Sequence, residues 1–327
     1  MFYALCIALC LATLFIVMTG AGMMCMLCLW LLRPLLRRAA PRTSANLLFT
    51  IRAAPLLLAF LVTFGLVLPA FLKFEPRSTG ELMGGPLLVL AALGTFVLLA
   101  MGIRGLRLIW ATRQAQKQWR MASSGFHISG IDVPLYRVDG PATLLAVSGV
   151  LRPKIFVGRD VANTLTSSEL SAALIHEMAH VTSLDNLKQF LLRITRLPRW
   201  TDVEWSDIEW TNASEIAADE AALARGASVL DLSSALIKVG RLGHGRPVRD
   251  TIVASHLLPV TTSSSMEMRV THLQKLLEGH CQPQRDLGGS GHKYYRILPV
   301  LLLFLSYATC VNAVLPWIHE ALEFLVR

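Results

Sequence analysis

The chain has 327 residues and a mass of 36.0 kDa, with 54% hydrophobic and only 16% charged side chains. Soluble domains average about 45–50% and about 25%, so neither a soluble globular chain nor a disordered one fits, and the composition is that of a membrane protein. The net charge of +9 does not signal nucleic acid: Met121–Arg296 holds eighteen basic and eighteen acidic residues, and the excess flanks apolar runs.

Four runs approach the roughly 20 apolar residues that a helix needs to cross a bilayer: Phe2–Leu32, Ala53–Leu72, Met83–Ile103 and Ile297–Ile318. The first has no basic start and is too long for the apolar region of a signal peptide, so a retained helix is expected. Arg33, Arg37, Arg38 and Arg42 follow it, and Arg104, Arg107, Arg113, Lys117 and Arg120 follow the third run. Lys73 and Arg77 after the second are balanced by Glu75 and Glu81. Basic residues favour the cytoplasmic side. The pattern predicts both termini outside, three membrane helices in 1–120, a cytoplasmic domain over 121–296, and a fourth helix with a short external tail in 297–327. Cys25-Met-Leu-Cys28 has the spacing of a metal or redox pair, yet it lies within the first apolar run without a second pair, and it reads as packing.

Within the polar segment, Val133–Val138, Thr143–Val147 and Lys154–Val157 read as short strands, separated by Asp139-Gly140-Pro141 and by Gly149–Pro153. Thr166-Ser-Ser-Glu169 is a capping box, and the apolar period behind it predicts a helix to about Val181. Asp185 is read as the cap of a helix ended by Pro198. Trp200–Trp210 is acidic and rich in tryptophan. Helices are expected over about Asn212–Arg225, Leu230–Val239 and Met266–Glu278.

His176-Glu177-Met178-Ala179-His180 lies on the capped helix. Histidines at i and i+4 share one face, so both rings can reach one metal ion, while Glu177 stands where it can take a proton from a metal-activated water. A catalytic zinc site needs a third protein ligand. Glu215-Ile-Ala-Ala-Asp219 offers it: Glu215 as ligand, with Asp219 one turn on to accept from a ligand histidine. Glu204 and Glu209 are rivals, and Glu220 is read as a solvated helix charge.

The stretches AVSGVLRPKIFVG, TSSELSAALIHEMAHVTSLDNL and EIAADEAAL resemble the metallopeptidase core of the BlaR/MecR-type antirepressors. The resemblance implies an α-helical membrane protein with four transmembrane helices and an inserted cytoplasmic α+β, gluzincin-like zinc peptidase domain, in a bacterial-type inner membrane. It implies one zinc ion per chain and a protein substrate, such as a repressor or the chain itself. It also implies that an aspartate like Asp185 follows the HExxH helix. Those receptors carry an external penicillin-binding domain after the fourth helix. Here His319–Arg327 follow Ile318, so sensing through that domain is not expected.

The expected activity is therefore zinc-dependent cleavage of peptide bonds, with Glu177 as general base and His256 or Arg269 as stabiliser of the transition state. Thr143–Val147 is the expected edge on which an extended substrate adds. The expected partners are the lipid bilayer and a protein or peptide substrate, without nucleic acid; self-association is left open. Two alternatives stand beside this reading: a membrane signalling or scaffold protein with a structural or degenerate zinc site, and a quality-control protease of the CAAX-processing or heat-shock type.

Overall fold

The computed structural model describes residues 2–75, 84–126, 133–139, 145–196, 203–243, 254–256, 263–278, 316–317 and 320. The expected fourth span, 297–318, lies outside the described residues apart from Pro316 and Trp317. The described chain is mostly helical, with three helices long and apolar enough to cross a membrane and a small mixed α+β region. It is an integral membrane protein.

The long helices are α1 (Phe2–Arg38), the pair α2 (Pro41–Val62) and α3 (Leu68–Phe74) joined by a π turn over Thr63–Val67, and α4 (Gly85–Met121). All three outrun the apolar stretches, because helix continues into basic sequence at their ends. Pro69 lacks the N–H for an i−4 bond, and the wider π turn just before it absorbs the mismatch. The chain divides into two compact units, one containing Met1–Leu31 and Thr50–Gly102, the other Leu32–Phe49 and Ile103–Asp286. In the first, Leu5, Leu9 and Ala12 of α1 pack with Val67, Phe71, Leu87 and Ala91. A Cβ at Gly94 would overlap the Leu11 carbonyl, so glycine there permits close approach of α1 and α4.

Among the described residues of the second unit five strands form one sheet: β1 (Ser123–Phe126), β2 (Leu135–Val138), β3 (Leu145–Ser148), β4 (Lys154–Gly158) and β5 (Ala254–His256), ordered β1-β2-β4-β3-β5. Only β2 and β4 run parallel. Alternation sends Leu145, Val147, Ile155 and Val157 to one face, against Ala173 and Leu174, and Ala146 and Phe156 to the other, beneath Trp119 of α4. The sequence did not reveal β1 or β5, since Ser123–Phe126 and Ala254–His256 lack strand periodicity. The register Ala146↔His256, Val147↔Ser255 and Ser148↔Ala254 corrects the expected substrate edge: β3 is an interior strand, already paired on both sides.

Around the sheet stand α5 (Arg159–Thr164), α6 (Ser167–Thr182), α7 (Asp185–Ile194), α8 (Val203–Ala224), α9 (Val229–Gly243) and α10 (Ser263–Leu277). The capping box opens α6 as expected: Thr166 accepts from the Glu169 amide, and the Glu169 side chain accepts from the Thr166 amide at 2.8 Å. The same carboxylate meets Lys238 of α9 at 2.7 and 2.8 Å, fastening α6 to α9. Asp185 does not cap α7; Leu184, with φ of 57°, precedes the helix and turns the chain sharply. Instead of starting near Asn212, α8 extends back through the acidic tryptophan stretch. There Arg33 of α1 stacks 4.5 Å over Trp205, and Arg37 lies 3.6 Å from Glu209, which also accepts from the Trp205 indole.

Burial raises the Glu169 pKa, but Lys238, Ser234 and the Thr166 amide outweigh it and hold it at about 2. A depressed pKa stabilises the fold above the ordinary carboxylate value, and that stabilisation is lost as pH falls from about 4.5 towards 2. Glu169→Gln is therefore expected to cost about 1–2 kcal/mol at pH 7. Thermal unfolding of the detergent-solubilised chain should show a gap from wild type that closes across that acidic range.

Candidate metal centre

Four helices and one strand build the centre. Helix α6 places His176 and His180 one turn apart, both fully or almost fully buried. Their Nε2 atoms face each other at 3.2 Å. Glu215, on α8, reaches between them: its Oε2 lies 3.5 Å from His176 Nε2 and its Oε1 3.6 Å from His180 Nε2. A tetrahedral ion with bonds of about 2.0–2.1 Å separates its ligand atoms by about 3.3 Å. Two imidazoles and a carboxylate are also the donors zinc prefers. The residues fit such an ion: among the described residues these three form the group able to hold a metal.

The far nitrogens of the rings are engaged by carboxylates. His176 Nδ1 lies 2.8 Å from Asp219 Oδ1, and His180 Nδ1 lies 2.8 Å from Asp185 Oδ2. A proton held on each Nδ1 leaves each Nε2 lone pair directed at the shared point. Burial alone would lower both imidazole pKa values; Asp219 reverses this for His176, and Glu215 with Asp185 does so for His180. The left-handed turn at Leu184 brings Asp185 back to the ring.

Arg269 of α10 is buried at the back of the centre. Its Nε and Nη2 donate to Asp219 at 2.8 and 2.7 Å, and its Nη1 sits 2.9 Å from Glu215 Oε2. Burial raises the Glu215 and Asp219 carboxyls, but nearby positive charge prevails, His180 and Arg269 holding Glu215 well below the usual range and Arg269 with His176 holding Asp219 down. The guanidinium that the sequence offered as a stabiliser of the transition state thus faces two carboxylates of the centre. His256, the other candidate, lies on β5 opposite Ala146.

Glu177 is fully buried beside the pair. Its Oε2 accepts from the Val147 amide of β3 at 3.2 Å, while its Oε1 has no hydrogen-bond partner among the described residues. Burial pushes its pKa up to about 7. Asn186 steadies the same strand, donating to the Val147 and Gly149 carbonyls at 3.1 and 3.0 Å. Gly149 has φ of 110° and no room for a Cβ beside the Arg152 carbonyl, so glycine is required there.

Of the rival carboxylates, Glu209 is tied to Arg37 and Trp205. The Glu204 side chain lies outside the described residues. Glu220 is buried and meets His272 at 3.0 Å, so it is not the solvated charge expected. Asn186 and Asp185's contact with His180 escaped the motif reading, although each directly follows the His-containing helix and its turn.

A buried His–His–Glu cluster with a carboxylate beside it, in a chain with membrane-crossing helices, defines a membrane metallopeptidase. The model of the BlaR1 peptidase M56 family matches residues 75–273, more than half of the chain, and the chain belongs to that family. No curated protein matches it.

Asp185→Asn is expected to weaken zinc binding about 10–100-fold, the usual cost of removing a carboxylate that orients a ligand histidine. Chelator competition on the purified chain measures this, and an unchanged affinity would remove Asp185 from the centre.

Proposed function

We propose that the chain is a zinc endopeptidase held in the membrane by four helices, with its metal centre on the cytoplasmic side, cutting a cytoplasmic or membrane-proximal protein. The domain limits follow the sequence: 1–120, 121–296 and 297–327. One observation carries this reading. The two Nε2 atoms and the Glu215 carboxylate converge beside a buried glutamate with an unpartnered oxygen. Three protein ligands are the pattern of catalytic zinc sites, whereas structural sites take four.

His176, His180 and Glu215 would hold the zinc ion, which when bound supplies Lewis acidity for a peptide carbonyl and acidifies a water molecule. Glu177 takes the proton of the attacking water and returns it to the departing amine. The Val147 amide fixes one oxygen of that carboxylate and leaves the other for the proton. Asp219 and Asp185 hold the two rings in the tautomer that ligates. Arg269 acts as a positioning residue, clamping Glu215 and Asp219.

Family membership supports a protein substrate, and the resemblance to antirepressors points to a transcriptional repressor or to the chain itself. The complete set of ligands and base argues against a degenerate site. Glu177→Gln is expected to retain one zinc per chain and to lose about 100–10,000-fold in cleavage of casein or of membrane-proximal cellular proteins. Undiminished cleavage by a zinc-loaded variant would overturn the assignment of the base.

A further inference from the structure

A second site lies in the same unit as the metal centre, where the last turns of α4 meet β4. Arg113, Gln116, Lys117, Arg120 and Met121 of α4 and Lys154 of β4 line a cavity of about 360 Å³. Four of these six side chains are cationic. Among the described residues none of the four has a carboxylate partner; Arg120 packs over the Tyr136 ring at 5.6 Å. Other cations of this unit do meet carboxylates, among them Arg37 with Glu209, Arg159 with Asp139, Lys188 with Asp185, Lys238 with Glu169 and Arg269 with Asp219. Like charges gathered on two elements repel, and that cost calls for an anion.

We infer that this cavity binds the phosphate of an anionic phospholipid headgroup. The volume stands at the low end of ligand pockets, which range over about 300–1,000 Å³, and suits a headgroup. The helix that supplies three of the cations is itself one of the apolar, membrane-crossing helices, and after Ile103 it carries five basic and no acidic residues. From Gly85 to exposed Trp110 the helix rises about 39 Å, close to the thickness of a bilayer with its headgroups, about 40–45 Å. Arg113 comes one turn later. Helical Cα–Cβ bonds lean towards the N-terminus, which directs these cations back towards the lipid. The cavity also adjoins the strand that holds Glu177: Gln116 donates to Ser148 at 3.3 Å, and the neighbouring Val147 amide donates to Glu177.

The test uses the full chain, purified in detergent and exchanged into nanodiscs of phosphatidylcholine with or without phosphatidylglycerol. Native mass spectrometry counts the lipids retained. Wild type is expected to retain phosphatidylglycerol in preference to phosphatidylcholine. Loss of a cation that contacts the phosphate is expected to cost about fivefold, so Lys117→Gln with Lys154→Gln should reduce the preference about 25-fold. Lys117→Arg with Lys154→Arg should keep it, as should Arg38→Gln with Arg107→Gln, which removes equal charge outside the cavity. Equal loss in that last variant would reduce the site to general attraction and overturn the inference. Displacement of the lipid by millimolar inorganic phosphate would assign the cavity to a soluble phosphate instead. Absence of any headgroup preference in wild type would also overturn it.

Discussion

Burial of charge governs the peptidase unit. Glu177, Asp185, Glu215 and Asp219 are all buried around two buried imidazoles, with Arg269 as the buried cation and Lys188 at the side of Asp185. Carboxylates removed from water must be paired or must bind a cation, since an isolated buried charge is strongly unfavourable. Arg269 neutralises one face of Glu215 and Asp219. The Glu215 carboxylate and the two Nε2 atoms enclose the point where a divalent cation would offset the remaining negative charge. The metal would thus contribute to the fold as well as to the chemistry.

Every major element of the unit serves that arrangement. Helix α6 supplies three residues of the centre and is fixed at its start by the Glu169 box and its bond to Lys238. Helix α8 is one continuous piece from the Arg33 and Arg37 contacts to Glu215 and Asp219, so the basic end of a membrane helix and a metal ligand share a rigid rod. Helix α10 contributes Arg269, and β3 contributes the Val147 amide. Displacement of α8 by a fraction of an ångström would change the Glu215 position directly. The acidic tryptophan stretch thereby gains a structural explanation as the receiver of α1.

The cluster of the centre was legible where it is encoded by short helical spacing. His176, Glu177 and His180 needed only the i, i+4 rule, and Glu215 with Asp219 needed only one further turn of helix. The capping box was equally local. What escaped the sequence depends on tertiary partners. Nothing in Ser123–Phe126 or Ala254–His256 marks a strand until β2 and β3 provide the ladder. Asp185 resembles a cap because it opens a helix, and only the left-handed Leu184 diverts it to His180. Arg269 and Glu220 are charged residues of ordinary appearance whose burial follows from the packing of α10 on α8. The first three apolar runs lie within long helices, but their ends were placed too early, since apolar composition reports the hydrocarbon span and helical structure continues beyond it.

The central claim is convergence of two imidazoles and one carboxylate on a single zinc ion. X-ray absorption at the zinc edge, on the full chain purified with its native metal, tests it most directly. The account predicts about one zinc per chain, with only nitrogen and oxygen neighbours near 2.0–2.1 Å and the scattering signature of two histidine rings. Sulfur neighbours at about 2.3 Å, which would point to Cys25 and Cys28, or the absence of stoichiometric metal would contradict it.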